Sequence, residues 1–559
     1  MERIDFVCDG HTLSVRPGVT VAAALLDAGV TAFRRSVSGE ARAPLCAMGT
    51  CFECRVTIDG VPHRRSCQLL CRPGMVVETA TTVTSSLVTP SLVTPSLVAR
   101  PEVGPTIVEE LHADVAVVGA GPAGIAAATT AREAGASVVL IDDNLQLGGQ
   151  IWRHARAAKR PIPEPVKKRA WRERFERAGI KTLFGAAIYD AAGPTRLFAD
   201  LEVANDGERA AVIACERLII ATGATERFSP VPGWTLPRVV GVGGLQALLK
   251  SGLDLTGQRV VFAGTGPLLL AVAAALREAG GHIVAIEEEA PFARVAKLGA
   301  SLLRRPAKLV QAAALAARTR GRVHYGARLQ RVEAVGTSLR ADFVTASGTS
   351  RSHVADWVAI GQGLVPRTRL ARLLGCQLEA TGAGPAILVD DEQRSSVAAC
   401  FAAGECTGIA GVEAAIAAGI VAGLAASGRR AEAMRAARRA RRERGFGRLL
   451  ERSYPARQGV PTTADDTLLC RCEDVPLAAL AGHGSARDLK LKTRCGMGAC
   501  QGRVCGPIVA AALGDAEDRV RPPLFPVRLG RMLAAGCEYD SRDELSRGDA
   551  GDHDAVHGQ

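Results

Sequence analysis

"ADVAVVGAGPAGIAAATTAREAGASVVLIDD" occupies residues 113–143 and decides the fold. Its pattern predicts a buried strand, then Gly119-x-Gly121-x-x-Gly124, a helix and a second strand that ends at Asp142. In such a unit the first glycine permits the turn, the second lets backbone approach a pyrophosphate, and the third lets the helix pack on the strand. The helix N-terminus stabilises phosphate charge, and the acid accepts from a ribose hydroxyl. We therefore predict a dinucleotide site in an α/β domain.

A second unit of the same kind follows at "QRVVFAGTGPLLLAVAAALREAGGHIVAIEEE", residues 258–289. Gly264 and Gly266 hold the first two glycine positions, but Leu269 stands where the third glycine would be. Glu287 ends the next strand, which favours NAD over NADP if this unit binds a ligand. The alternative is a unit that keeps the shape of a dinucleotide domain and has lost its ligand.

Three further segments connect the two units. Residues 215–227 predict a buried strand that ends in Ala-Thr-Gly at Thr222 and Gly223, and residues 355–366 are similar in kind. Residues 400–419 predict a strand, the turn Gly404-Glu405 and a helix. The whole middle of the chain resembles the two-dinucleotide-domain flavoprotein family, with the glutathione-reductase-like Rossmann fold.

This resemblance implies an FAD site at the first unit. The glycine turn and Asp142 would bind the adenosine half, Glu405 the ribityl chain, and "LGGQIWR" at 147–153 would lie near the flavin. The predicted FAD-site residues are Gly119, Gly121, Ala123, Gly124, Asp142, Gly149, Gln150, Thr222, Gly223, Gly404 and Glu405. In some relatives this first site holds NAD or ATP in place of FAD. Disulfide reductases of this fold carry a cysteine pair beside the flavin; Cys215, Cys376, Cys400 and Cys406 do not form one, so we expect no thiol–disulfide chemistry.

Cysteines gather at the N-terminal end in "CAMGTCFEC", residues 46–54. Cys46, Cys51 and Cys54, with Cys67 further on, have the plant-type [2Fe–2S] spacing. The hairpins and helix predicted around them fit a small ferredoxin-like β-grasp domain. A structural zinc site would more often use two C-x2-C pairs, so zinc is the lesser alternative, beside unliganded thiols.

A second group of cysteines lies near the other end, in "LLCRCEDV" and "DLKLKTRCGMGACQGRVC". These segments resemble the bacterioferritin-associated-ferredoxin-like (BFD-like) [2Fe–2S] domain. The resemblance implies four ligands, Cys470, Cys472, Cys500 and Cys505. Cys495 is a competitor for one of these places, and zinc is again the alternative.

The predicted organisation follows from these motifs. The domains are a β-grasp ferredoxin-like domain (1–82), a linker with SLVTP repeats (83–110), the first part of the FAD-binding domain (111–232), an NAD(P)-binding-like domain (233–344), the second part of the FAD-binding domain with an arginine-rich helix (345–460), a small helical BFD-like domain (461–540) and a disordered tail (541–559). Proline every five residues in the linker blocks helix and central strand. We interpret the arginine-rich helix as solvated, because no aromatic interleaving supports nucleic-acid binding.

Bulk composition limits the class of protein. The chain has 559 residues, 47% apolar content, a net charge of +12 and 16 cysteines. We find no signal peptide and no transmembrane segment, and so expect a cytoplasmic protein. Cysteines in a reducing compartment are unsuited to disulfides, which favours metal ligation or redox chemistry for the clustered ones.

The order of the parts resembles one family across nearly the whole chain, the A (α) subunits of opine oxidases and D-hydroxyproline dehydrogenases. It is also similar to fused first subunits of hydrogen cyanide synthase and to part of the sarcosine oxidase α subunit. "PVPGWTLPRVVGVGGLQALLKSG" (230–252), "FAAGECTGIAGVEAA" and "TRCGMGACQGRVC" carry the match. The resemblance implies an electron-transfer subunit with FAD and two [2Fe–2S] clusters. It also implies a partner FAD subunit of the D-amino-acid-oxidase type, with FMN at the subunit interface as an open question.

Two other functions remain open from the sequence. One is a self-sufficient NADH-dependent FAD and iron–sulfur reductase, which the second dinucleotide unit supports. The other is a non-catalytic redox scaffold or sensor. The chain has no Ser-His-Asp arrangement and no zinc-protease motif, which agrees with substrate oxidation in a partner.

Overall fold

The computed structural model describes residues 3–80, 106–153, 164–201, 209–319, 321–454, 466–514 and 520–536. The SLVTP repeats and the predicted disordered tail lie outside the described residues. Within the described part of the chain, no helix is both long enough and apolar enough to cross a membrane.

The N-terminal domain is a β-grasp, as predicted. Its elements are β1 (Ile4–Cys8), β2 (His11–Val15), α1 (Val21–Asp27), β3 (Arg34–Arg35), β4 (Ala41–Arg42), β5 (Arg55–Ile58), β6 (Val61–Arg65) and β7 (Val76–Glu78). The sheet order is β2-β1-β7-β5-β6, in which only β1 and β7 pair in parallel. Thr20 caps α1, whose apolar face is buried against the sheet. The cysteine loop runs from β4, which pairs with β3, to β5, which pairs with β6 and β7, so strands hold both of its ends.

The first dinucleotide domain is built on a mixed sheet. Its elements are β8 (Ile107–Val118), α2 (Pro122–Glu133), β9 (Val138–Asp142), α3 (Val166–Ala178), β10 (Lys181–Phe184), β11 (Ala186–Ala191), β12 (Arg196–Leu201), β13 (Arg209–Ile220) and β14 (Ala224–Glu226). The order is β10-β9-β8-β13-β12-β11, with β8 parallel to both β9 and β13. Residues 115–118 of β8 are apolar and buried on both faces, as a central parallel strand requires. The strand begins inside the predicted linker.

The second dinucleotide domain follows at once. Its elements are β15 (Val239–Gly241), α4 (Val242–Lys250), β16 (Arg259–Gly264), α5 (Pro267–Glu278), β17 (His282–Glu288), α6 (Phe292–Ser301), α7 (Pro306–Thr319), β18 (Val323–Tyr325), β19 (Ala327–Val335), β20 (Ser338–Thr345), β21 (Ser350–Ala355) and β22 (Trp357–Gly361). The parallel sheet runs β15-β22-β16-β17-β18, and β19-β20-β21 form a meander. The predicted boundary at 344 falls inside β20. Because β22 pairs with β16, residues 345–361 belong to this domain.

The chain then returns to the first domain. The elements are β23 (Leu364–Pro366), α8 (Arg369–Leu373), β24 (Leu378–Thr381), β25 (Gly384–Ile387), β26 (Cys400–Ala402), α9 (Val412–Ala426) and α10 (Arg430–Ser453). β26 extends the first sheet beside β13. α9 lies close against α2, since a Cβ on Gly419 would stand 2.2 Å from the Ala123 carbonyl oxygen. The arginine-rich segment forms α10, as predicted, and part of its charge is paired, as in Arg441–Asp391.

The C-terminal part contains β27 (Leu468–Cys470), β28 (Val475–Pro476), α11 (Ala486–Thr493), α12 (Gly506–Leu513) and α13 (Leu529–Ala534). Residues 466–514 form a small unit around the second cysteine group. Residues 520–536 instead pack on the first dinucleotide domain, where Leu524 donates its amide to the Tyr189 carbonyl at 2.7 Å. The predicted domain 461–540 therefore divides in two.

Candidate functional site

A cavity of about 320 Å³ opens at the carboxyl ends of the strands of the first sheet. This is the place where open α/β sheets bind ligands. Nine of the eleven predicted FAD-site residues line it: Gly119, Gly121, Ala123, Asp142, Gly149, Gln150, Thr222, Gly223 and Glu405. Gly124 packs beneath the turn, and Gly404 lines an adjoining cavity that shares Glu405.

The first glycine turn has the shape that a pyrophosphate needs. Gly119 has φ +114°, and a Cβ there would lie 2.2 Å from the Ala221 carbonyl oxygen. A Cβ on Gly124 would lie 1.7 Å from the Gly119 oxygen, so this position allows only glycine. A Cβ on Gly121 would meet no atom within 4 Å, because it would project into the open cavity. The residues therefore fit a dinucleotide whose diphosphate lies over Gly121.

Two acids face the same cavity. Asp142 accepts from the Ala120 amide and, at 2.7 Å, from the Asn144 amide. Burial and the neighbouring Asp143 raise the pKa of Asp142 to about 6. Burial also raises the pKa of Glu405, which lies between the two adjoining cavities. Both acids are placed where a ribose or ribityl hydroxyl could donate to them.

The second glycine turn differs from the first. A Cβ on Gly264 would lie 1.8 Å from the Gly361 oxygen, as tight as the first turn. Leu269 is buried and packs over Gly361, which has no side chain to obstruct it. Glu288 accepts from the Gly266 amide at 2.9 Å. This acid thus accepts from an amide of its glycine turn, as Asp142 does in the first turn, but one residue further along.

The predicted ribose acid of this second unit, Glu287, needs correction. Glu288 pairs with Gly264 across the sheet, whereas Glu287 pairs with Ala263. Successive strand residues point to opposite faces, so Glu287 points away from the turn. It is fully buried between Arg351 at 2.9 Å and His353 at 2.8 Å. Glu288 therefore stands at the place equivalent to Asp142, and Gly264, Gly266 and Glu287 do not line the 320 Å³ cavity.

Glu226 is a cavity residue that the sequence analysis missed. It lies at the end of β14, and its carboxylate accepts from the amides of Gly243 at 2.6 Å and Gly244 at 3.0 Å. Gly244 in turn touches the first cysteine loop, since a Cβ there would lie 2.5 Å from the Leu45 oxygen. Burial raises the pKa of Glu226 to about 7. The two amide donors stabilise the carboxylate and so oppose this rise, but burial is the larger effect. The only signal in the sequence is its place just after the Ala-Thr-Gly strand end.

This raised pKa gives a pH-dependent prediction. The pKa of Glu226 in the folded protein lies above the usual value of 4.5, so the folded state holds this proton more tightly than the unfolded state. The protonated group therefore contributes to the free energy of unfolding at low pH, and this contribution is lost as the pH rises from 4.5 to about 7. Each pKa unit corresponds to about 1.4 kcal/mol. We expect the melting temperature of Glu226→Gln to rise relative to wild type, by several degrees, as pH increases across this window. The exposed Glu173→Gln should show no such trend, and a constant difference at Glu226→Gln would contradict the prediction.

Three of the N-terminal thiols lie in a buried loop, and the fourth, Cys67, lies in a short 3-10 helix and contacts Cys54. All four predicted ligands, Cys46, Cys51, Cys54 and Cys67, are at most 2% exposed. Amides of Met48 and Cys51 donate to the Cys46 sulfur at 3.4 and 3.3 Å. Burial opposes ionisation of Cys46, but these donors and the Cys51 thiol outweigh it and lower its pKa. Amide donors directed at sulfur suit thiolates that hold an iron–sulfur cluster.

The C-terminal thiols also converge, with Cys495 among them. The sulfurs of Cys470, Cys495 and Cys505 lie within 4.8 Å of one another. Cys472 hydrogen-bonds to both Cys470 and Cys500. The close group therefore contains two of the predicted ligands and Cys495, the competitor, while Cys472 links Cys470 to Cys500 at its side. Five buried thiols offer more than the four ligands that one [2Fe–2S] cluster takes.

Both cysteine loops reach the dinucleotide cavity. Met48 and Thr50 of the first loop line it, and so do Arg503 of the second loop and Pro507 at the start of α12. Arg503 stands 5.0 Å from the ring centroid of Phe52, which lies in the first loop. The three candidate redox sites therefore meet at one place. Sequence reasoning could not find this, because the contacts join residues more than 400 positions apart.

Comparison with known proteins agrees with this geometry. The family described as pyridine nucleotide-disulphide oxidoreductase matches residues 113–419, more than half of the chain. The chain belongs to the pyridine nucleotide-disulphide oxidoreductase family. A 2Fe-2S iron-sulfur cluster binding domain matches residues 1–82. The protein is accordingly an FAD-dependent oxidoreductase of this family with an N-terminal [2Fe–2S] cluster, which confirms the predicted fold class and these two cofactors.

Curated relatives cover most of the chain. The opine oxidase A subunit of Rhizobium meliloti is 34% identical over 75% of this chain and 98% of its own length. Hydrogen cyanide synthase subunit HcnB of Pseudomonas protegens is 30% identical over 76% of this chain and 99% of its own. These matches confirm the resemblance to the opine oxidase A subunits. The crystal structure of L-proline dehydrogenase from P. horikoshii has a TM-score of 0.68 at 17% identity, covering 95% of this chain and 97% of that one, which shows a shared fold.

Proposed function

We propose that this chain is the electron-transfer flavin and iron–sulfur subunit of an amine, imino-acid or D-amino-acid dehydrogenase complex. A partner FAD subunit of the D-amino-acid-oxidase type oxidises an opine-like or hydroxyproline-like substrate, and this chain carries the electrons onward. The observation that supports this most is the shared cavity, which the first dinucleotide turn and both cysteine loops line together.

The chemistry of the cofactors explains why these sites meet. A bound flavin accepts electrons in pairs and releases them singly, whereas an iron–sulfur cluster takes one electron at a time. The protein positions the groups: the glycine turn and Asp142 hold the nucleotide, and Glu405 holds the ribityl side. Met48 and Thr50, which belong to the first cysteine loop, line the same cavity. We assign the second cluster to Cys470, Cys472, Cys500 and Cys505, as the resemblance to the BFD-like domain implies.

The named relatives support a complex. By name, the two curated relatives are components of an opine oxidase and of a hydrogen cyanide synthase, each with further subunits. The fold is shared with an L-proline dehydrogenase, whose named substrate is a cyclic secondary amine. We infer that this chain also works as one subunit of a hetero-oligomer. The alternative of an NADH-fed reductase has less support, because Leu269 stands at the third glycine position of the second turn.

Reconstitution tests this proposal. The chain would be mixed anaerobically with a D-amino-acid-oxidase-like protein from a neighbouring gene, and a panel of secondary amino acids and opines added. We expect the flavin and iron–sulfur absorption bands of this chain to bleach only when both partner and substrate are present. If substrate reduces the partner while the bands of this chain stay oxidised, the proposal is wrong.

A further inference from the structure

The two cysteine loops are joined by a buried ion pair. Glu53 lies between the second and third cysteines of the first loop, and Arg471 lies between Cys470 and Cys472 of the second. Arg471 Nε donates to Glu53 Oε1 at 3.1 Å. The side chains of Arg471 and Glu53 are only 2% and 1% exposed. A charged bridge thus runs directly from one predicted ligand loop to the other.

This pair belongs to a larger network that includes Arg34 and Trp234. Arg34 donates to Glu53 Oε2 at 2.9 Å and to the Arg471 carbonyl at 3.3 Å. Arg471 also donates to the Trp234 carbonyl at 2.6 Å and lies 4.9 Å from the centroid of that ring. Removing charges from water is unfavourable and is offset only when each is paired and hydrogen-bonded. Apolar side chains could hold the two loops together without the cost of removing charges from water. We therefore infer that these buried charges do more than hold the loops together.

A second contact between the loops runs beside the first. The ring of Phe52, next to Glu53, lies between Arg65 at 5.2 Å and Arg503 at 5.0 Å. Arg503 stands between Cys500 and Cys505 and lines the dinucleotide cavity. Two adjacent residues of the first loop therefore contact one residue from each cysteine pair of the second. This arrangement fixes the two loops in a single orientation.

We propose that Glu53 and Arg471 make the two iron–sulfur sites one electronic unit, in which an electron passes directly from cluster to cluster. The two charges position the loops and set the potential of both clusters together. In the transfer, one electron leaves the reduced cluster and enters the oxidised one, and no bond or proton changes. This inference rests on the second cluster of the proposed function.

The physical reason lies in the charge of the clusters. Reduction adds negative charge, so a nearby positive charge raises the potential and a nearby negative charge lowers it. In a dry, low-dielectric contact these effects reach further than at a surface. With both partners present, the charges of Glu53 and Arg471 largely offset each other at each cluster. Removing Glu53 leaves Arg471 and Arg34 without their counter-charge, whereas removing Arg471 leaves Glu53 paired with Arg34 alone.

The first test uses the full chain reduced with dithionite and measured by EPR. We expect about two spins per chain with mutual broadening and faster relaxation, because the two centres are neighbours. Cys500→Ser should leave one narrow, unperturbed signal. Two spins that do not interact would overturn the inference alone. A wild-type count of one would overturn the second cluster as well, so the two failures are distinguishable.

The second test is a redox titration of single variants. Glu53→Gln should raise the midpoint potentials of both clusters, since Arg471 and Arg34 lose their counter-charge. Arg471→Gln should lower both, by less, because Arg34 still pairs with Glu53. The double variant should return towards wild type. Asp59→Asn, which neutralises an exposed acid of the same domain, should shift neither potential.

The opposite directions of the two potential shifts distinguish an electrostatic role of Glu53 and Arg471 from a role in holding the loops together. If the pair only held the loops together, both single variants would change cluster content or potentials in the same direction. Shifts confined to the cluster of the mutated loop would also overturn the inference. Shifts of opposite sign at both clusters would establish it.

Discussion

Replacing Gly121 by valine should remove most of the bound flavin and leave the fold intact. A Cβ at this position meets no protein atom within 4 Å, and its backbone φ of −76° suits any residue. The side chain would instead enter the cavity in which we propose that the diphosphate binds. We expect flavin content to fall by roughly tenfold or more, since such overlap costs more than about 1.4 kcal/mol of binding free energy. Flavin released by denaturation and measured by absorbance gives the result.

A matched control is available in α6. Gly299 is also a position where a Cβ would meet no atom within 4 Å, but it does not line the cavity. Gly299→Val should keep the wild-type flavin content. Full flavin content in Gly121→Val, with unchanged circular dichroism, would show that the ligand does not lie over this turn.

The second large effect is expected at the C-terminal thiols. Cys500→Ser should lower the EPR spin count of the dithionite-reduced protein from about two per chain to about one, because a [2Fe–2S] cluster takes four ligands. Cys500 is buried and hydrogen-bonded to Cys472, so a serine there removes a thiolate without opening the loop. The remaining signal should belong to the N-terminal cluster.

Cys495→Ser is the informative companion. Cys495 lies within 4.8 Å of Cys470 and Cys505, as a ligand would, yet it falls outside the four predicted ligands. We expect this variant to keep both spins. Loss of a spin in Cys495→Ser with retention in Cys500→Ser would replace one predicted ligand by the other. Zinc in place of iron at this site would leave the spin count at one in the wild type.

Local sequence patterns predicted the framework of the fold well. The glycine turn at residues 119–124 must follow a strand and open a helix, because only that context lets backbone approach a phosphate. The cysteine spacing at 46–54 likewise required a tight loop, and the β-grasp around it appears as predicted. These features depend on residues close together in the chain, so a single sequence was enough to find them.

It was harder to predict which face of a strand a side chain occupies and which residues distant in sequence come into contact. Glu287 and Glu288 are neighbours in sequence, and a shift of one residue reverses which side chain meets the turn. The domain boundary at 344 was misplaced because β22 returns to the second sheet after a meander. The pair of Glu53 and Arg471 joins elements at opposite ends of the chain, and no local pattern indicates such a contact.

The proposed function requires that the electrons come from a partner protein and not from NADH. An anaerobic titration of the purified chain with NADH, followed at the flavin and iron–sulfur absorption bands and completed with dithionite, tests it directly. We predict bands that stay oxidised with NADH and bleach with dithionite, because under the proposed function the electron donor is a partner protein and Leu269 replaces the third glycine of the second turn. Prompt bleaching of both bands by NADH alone would contradict the account and show that the second dinucleotide unit feeds the protein by itself.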